Sequence, residues 1–218
     1  MGVLSLHPPP TLRYKGGGRT LLIRPARVSD AAVLVDAIVE SQEALRAFMP
    51  WAHHENTVPM QEERLAKAEE DHRTGGDVVY HLYDGTHERF LGCMGLHHRS
   101  LNRKGLEVGY WIRTGEAGKG WTTLAVQCLA ILTFDYLDYD RLQCAFNESN
   151  GASRRVNEKV GFHTEGLHRY FEEEPTDKMN QNGCKMTAFT VSTALTRHDP
   201  PNLDWYEPIR TGLSVWDV

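Results

Sequence analysis

The chain has 218 residues, of which 40% are hydrophobic and 24% charged, and its net charge is −5. That is ample for one domain with a real core and short for two. The mild acidity, with no long basic run, argues against a phosphate-binding face for nucleic acid, and no apolar stretch approaches membrane-spanning length.

The N-terminal segment "HPPPTLRYKGGGR" is rich in Pro and Gly and reads as a flexible arm over residues 1–19, with a short hairpin at Gly16–Gly18. It has neither the charged start nor the long apolar run of a signal peptide, and "MGVLSL" misses the myristoylation pattern at Leu6. The domain proper is expected over residues 20–196. "TLLIR" reads as a strand that Pro25 stops. Ser29 then predicts the N-cap of a helix through Ala47, with Val33, Leu34, Ala37, Ile38 and Leu45 as its apolar stripe. "FMPWAHHENTVP" reads as a loop, and "MQEERLAKAEEDHRTGG" as a charged helix ending at a Gly pair.

Three strands follow: "DVVYHLYDG", "RFLGCMGLHHRS" and "KGLEVGYWIR", joined by hairpin-type turns at "DGTHE" and "LNR". "GEAGKGW" opens a helix over about 121–137, where Trp121, Leu124, Ala125, Cys128, Leu129 and Leu132 recur at helical spacing. "DRLQCAFN" is a strand. "NGASRRVNEKVGF" is a short helix with Gly161 just past its end, and Ser153 and Asn157 are expected on the face opposite Val156 and Val160. "CKMTAFTVSTAL" is the last strand, and residues 197–218 read as an aromatic tail. The four cysteines form no C-x-x-C pair or zinc spacing, so small buried hydrophobes in a reduced, cytoplasmic protein is the expectation. The histidine pairs at 53–54 and 97–98 lack a third ligand, so no metal is expected. The element order predicts an α+β fold, or α/β with a mixed sheet, whose late strand–helix–strand unit is parallel and right-handed.

Two segments carry chemistry. In "YWIRTGEAGKGWTTLAV" a strand runs through a glycine turn into a helix. Gly115, Gly118 and Gly120 let the backbone approach a ligand, and the amides around Gly118–Thr122 with the helix dipole favour an anion. This is neither a P-loop nor a dinucleotide fingerprint, and by itself such a turn can be only a tight connection. In "RLQCAFNESNGASRRVNEKVGF", Asn147 and Asn150 stand where a strand ends and a helix begins, and the plain reading of Asn150 is an N-cap.

Together the two segments resemble the GNAT acetyltransferase family over about residues 20–196. "EVGYWIRTGEAGKGWTTLAV" is similar to that family's acetyl-CoA segment, Q/R-x-x-G-x-G/A, and "NESNGASRRVNEKVGF" to its N-x-x-S/A…K-x-G-F segment. "EVGYWI", "FMPW" and the N-x-x-S helix look most like the ribosomal-protein N-terminal (Rim-type) branch. The resemblance implies a mixed, mostly antiparallel twisted sheet of about seven strands with about four helices. It implies acetyl-CoA as co-substrate on Ile112, Ala117, Gly118, Lys119, Gly120, Trp121, Thr122, Asn150 and Ser153. It also implies thiolate assistance by Ser153, a base at Glu172 with Glu173 and Glu174 as register alternatives, and an oxyanion donor on the strand backbone. Gly115 departs from the Q/R position, and Asn157 stands where many members carry a Tyr acid, a Tyr that the Rim-type branch also lacks. The expected acceptor is a primary amine, foremost a peptide or protein N-terminus, and the expected state a monomer or homodimer. A small-molecule amine, or a non-catalytic acyl-CoA-binding module, are the alternatives.

Overall fold

The computed structural model describes residues 6–7, 9–86, 88–98 and 104–216. The turn expected at "LNR" lies outside them. The described residues form nine strands in one sheet, with seven helices on its two faces.

The chain enters through β1 (Thr11–Gly16) and β2 (Arg19–Pro25), a hairpin turned at Gly17–Gly18. Helices α1 (Ala31–Glu40), α2 (Gln42–Arg46) and α3 (Val58–Thr74) follow. Strands β3 (Val78–Asp84), β4 (Arg89–His97) and β5 (Gly105–Ile112) form an antiparallel meander. Then come α4 (Trp121–Ile131), β6 (Arg141–Asn147), α5 (Gly151–Val160), β7 (His163–Arg169), α6 (Asp177–Gln181), β8 (Phe189–Thr196), α7 (Tyr206–Gly212) and β9 (Leu213–Trp216). The strand order is β7-β8-β6-β5-β4-β3-β2-β1-β9, and β5–β6 is parallel, as the strand–helix–strand order requires.

Two cores flank the sheet. One face packs under α4, α5 and α7 on Leu12, Leu21, Ile23, Leu96, Leu106 and Leu129. The other packs under α1 and α3 on Leu34, Ala37, Ile38, Leu65 and Phe90. Cys128 and Cys144 lie buried in the first, as small hydrophobes.

Several elements differ from the sequence reading. Residues 11–16, expected in a flexible arm, form a full strand between β2 and β9, with Leu12 and Tyr14 buried. The expected tail supplies α7 and β9, so both ends of the chain close one edge of the sheet. Ser29 does not cap the first helix. It lies in a 3-10 turn, and Asp30 sits at the helix start with its carboxylate drawn to Arg24, His81 and the Arg27 amide. The helix expected through Ala47 breaks at buried Ser41, whose Oγ accepts from the Thr114 amide at 2.9 Å. The helix after the glycine turn passes into a π turn over Leu132–Tyr136. Strand β8 begins at Phe189, because the preceding segment is tied to α2 through Lys185 N–H to Ala47 O, 2.9 Å. Edge strand β7, mostly exposed, carries no burial alternation from which to read it.

Candidate active site

The strands β5 and β6 pair only from Gly105 to Glu107 and from Arg141 to Gln143. Both run on, to Ile112 and Asn147, so beyond Glu107 they part and open a wedge in the sheet. A cavity of about 510 Å3 occupies this opening and continues over the face under α1 and α3. Its walls include Trp51 and Arg64 from the helical side, His97, Glu107 and Trp111 from the sheet, and Asn150, Ser153 and Glu172 from the far side. The "FMPW" segment thus lines the site through Phe48, Met49 and Trp51, with Trp51 tilted 6.2 Å from Trp111.

Helix α5 delivers Ser153. Asn150 caps it, its side chain accepting from the Ser153 amide at 3.1 Å, and Gly161 ends it in the left-handed conformation at φ 92°. Ser153, Asn157 and Val160 are all buried on one face, whereas the sequence reading placed the two polar residues opposite Val160. The polar pair turns inward because it finds partners there. Ser153 Oγ lies 2.9 Å from the Tyr110 hydroxyl, and Asn157 Nδ2 donates to the same hydroxyl at 3.0 Å. Asn157 Oδ1 accepts from Thr193 Oγ1 at 2.7 Å. Burial, with Cys144 beside it, pushes the Tyr110 phenol far up, so it stays neutral and can donate. Asn157 therefore braces the wedge between α5, β5 and β8. Tyr110, which the sequence reading passed over, is the hub of this network; its inward register on β5 was the only signal.

The glycine turn lies at the end of β5. Ile112 ends the strand, half-buried against the core. The amide of Gly115, at the Q/R position, is taken by Glu40 Oε1 at 3.0 Å, and Ala117 N–H is already bonded to Thr114 O at 3.1 Å. Ala117, one of the cofactor residues that the resemblance implies, therefore has its amide occupied within the turn, and the amides that follow it begin at Gly118. Gly118 and Gly120 adopt φ 75° and 84°, and a Cβ on Gly118 would meet nothing within 4 Å. Lys119 is exposed and pairs with buried Glu116, Trp121 is buried under the turn, and Thr122 lies in the first turn of α4, whose amides have no intrahelical acceptor. Arg19, from the β1–β2 hairpin, donates through Nη1 to Lys119 O at 2.6 Å and stacks 5.0 Å over Trp121. It brings to the turn a cation that a reading of the turn by itself could not find, because it comes from a segment 100 residues away.

Of the three consecutive glutamates, Glu172 lines the cavity and Glu173 and Glu174 do not. Cys93, Cys128 and Cys144 are buried with thiols pushed up by burial, unsuited to nucleophilic work. Among the described residues no three His, Cys, Asp or Glu side chains are grouped to hold a metal ion, and no helix is long and apolar enough to cross a membrane.

Residues 20–163 match the acetyltransferase (GNAT) domain family. The probable N-acetyltransferase YjcK of Bacillus subtilis is 30% identical over 158 residues, 70% of this chain and 85% of that protein. Among solved structures, Mycobacterium smegmatis RimJ in complex with CoA-disulfide superposes with a TM-score of 0.78 at 19% identity, covering 94% of each chain. The Salmonella typhimurium acetyltransferase that modifies the N-terminal serine of ribosomal protein L7/L12 gives 0.70 at 16% identity, covering 84% of this chain and 98% of that one. A parted parallel strand pair, an amide-lined glycine turn at its end and the family match over these same elements make the chain a member of the GNAT acetyltransferase family, an acyltransferase that draws its acetyl group from acetyl-CoA.

Proposed function

We propose that the acceptor is the α-amine of a peptide or protein N-terminus, acetylated by direct attack while both substrates are bound. The observation that carries this reading is the cavity itself. It encloses about 510 Å3, is walled by Trp51 and Trp111 on one side, and carries Ser153 and Glu172 on the far side. Similarity to the L7/L12 N-terminal enzyme supports the same acceptor, which would place the reaction in the cytoplasm.

In this reading the amides from Gly118 to Thr122 and the α4 dipole hold the pyrophosphate, with Arg19 as the neighbouring cation that offsets the missing Q/R side chain. Acetyl-CoA supplies an activated thioester. A backbone N–H of β5 facing the wedge stabilises the charge that develops on the carbonyl oxygen, an effect worth about 3 kcal/mol for such donors. Ser153, held by Tyr110 and Asn150, assists the departing sulfur. Glu172 attracts the cationic amine and helps to deprotonate it. An α-amine suits a modest base, since about one in ten is neutral at pH 7 against about one lysine side chain in two thousand.

The test is a matched pair of peptides, one with a free N-terminus and blocked lysine, the other reversed, followed by mass spectrometry with acetyl-CoA. The free N-terminus is the one expected to react. Acetylation of the lysine peptide alone, or of neither while a small amine reacts, overturns the assignment.

A further inference from the structure

We propose that His97, oriented by Asp77, is the group that finally takes the proton from the acceptor amine. The proposal rests on the acetyl-transfer reading, not on which amine is the acceptor.

His97 is the last residue of β4, and its Nδ1 lies 2.7 Å from Asp77 Oδ2. The other oxygen of Asp77 accepts from the His98 amide at 3.1 Å, which fixes the carboxylate. A carboxylate only accepts, so Nδ1 carries the proton of the neutral ring and the lone pair is on Nε2. That is the arrangement of a base oriented by a third group.

The position of the ring is as specific as its partner. Gly95 of β4 and Gly109 of β5 stand directly opposite each other. A Cβ on Gly95 would come within 2.3 Å of His97 Nε2, and one on Gly109 within 3.6 Å. The imidazole therefore folds back over a floor made by these two glycines, where Gly95 leaves the room that a side chain would take and Gly109 lies in ordinary contact distance. Gly95, Gly109 and His97 all line the cavity that Ser153 and Glu172 share, and the His97 side chain is 21% exposed.

The other basic groups on this wall are less suited. Glu107, across from His97 on β5, receives the Gln143 amide at 3.0 Å. His81 is fully buried and bound to Asp30. Glu172 is on an exposed loop and can meet the ammonium before it reaches the floor.

The balance is simple. The ammonium gives one proton to His97 Nε2, which releases it to solvent. The neutral nitrogen then forms the C–N bond as the C–S bond breaks. The second nitrogen proton passes to the sulfur with the help of Ser153, leaving the amide and the CoA thiol.

The experiment compares wild type, His97→Ala and Asp77→Asn on whichever amine of an N-terminal peptide, lysine peptide and small-amine panel the wild type acetylates fastest. Melting temperature and acetyl-CoA affinity by calorimetry are recorded for each. His97→Ala should lose about 10²-fold in kcat with acetyl-CoA affinity unchanged, and millimolar imidazole should restore part of the rate by occupying the cleared floor. Asp77→Asn should lose less. Wild-type kcat in His97→Ala overturns the proposal, and so does a loss that imidazole does not relieve. If the lysine peptide or a small amine is the fastest acceptor, the N-terminal assignment fails while the His97 comparison still stands. A wild type that acetylates nothing in the panel ends both.

Discussion

At the scale of single residues, the proposed phosphate site rests on the glycines of the turn. Gly118 and Gly120 hold left-handed backbone conformations that cost a side-chain-bearing residue about 1–2 kcal/mol each. A side chain on Gly120 would also point at the Arg19 guanidinium, whose Nη1 lies 3.5 Å from the Cβ position. Gly120→Val should therefore fold with modestly lower stability and bind acetyl-CoA at least tenfold more weakly. Calorimetry on the folded variant checks this, and unchanged affinity would remove the turn from the cofactor site. Although the turn by itself can be only a tight connection, the sequence made these glycines visible because they precede a helix and stand at a set separation from the Asn150–Ser153 segment. It could not show that Glu40 occupies the Gly115 amide, or that Arg19 supplies the nearby cation, since both arrive from distant segments.

Among the elements, α5 shows how a short helix is held by its ends. Asn150 satisfies its first turn, and Gly161 closes it at a positive φ. A Cβ on Gly161 would also come within 2.8 Å of Leu203 Cδ1, a flexible contact that can yield. Gly161→Ala should thus cost about 1–2 kcal/mol, mostly from the backbone, and urea denaturation will measure it. Because the helix carries Ser153 and Asn157 into the wedge, loosening it should lower kcat as well. Both caps were legible in the sequence. The direction of the polar face was not, because burial of Asn157 depends on Tyr110 and Thr193 from strands that meet it only in the folded sheet.

Across the whole molecule, one buried polar cluster joins the β2–β3 region to the start of α1. Burial by itself would raise the Asp30 carboxyl, but hydrogen bonds from His81 and Arg24, with the guanidinium charge, outweigh it and hold it well below the usual range. Burial pushes His81 down, and likewise His72, whose Nε2 accepts from the Val79 amide. All three groups bind protons more readily in the unfolded chain than in the native one. Their contribution is therefore complete above about pH 6.5 and is lost on acidification, first through the histidines and then, below about pH 4, through Asp30. The urea midpoint should fall steadily from pH 7.5 to pH 5 and further at pH 4. A midpoint that stays flat down to pH 5 would contradict the assignment of His72 and His81.

The sequence by itself determined the order of the central strands and helices, the parallel unit around α4, the glycine turn and the caps of α5. These depend on local spacing and backbone conformation, which neighbouring residues dictate. The tertiary structure alone decided what lies at the sheet edges and inside the cavity. The segment expected as an arm became β1 because β9, from the other end of the chain, pairs with it and buries Leu12 and Tyr14. The wedge exists because β5 and β6 stop pairing after Glu107, and the placement of His97 over two facing glycines follows from the β4–β5 register. Long-range pairing sets both, and no local pattern encodes where two distant strands part.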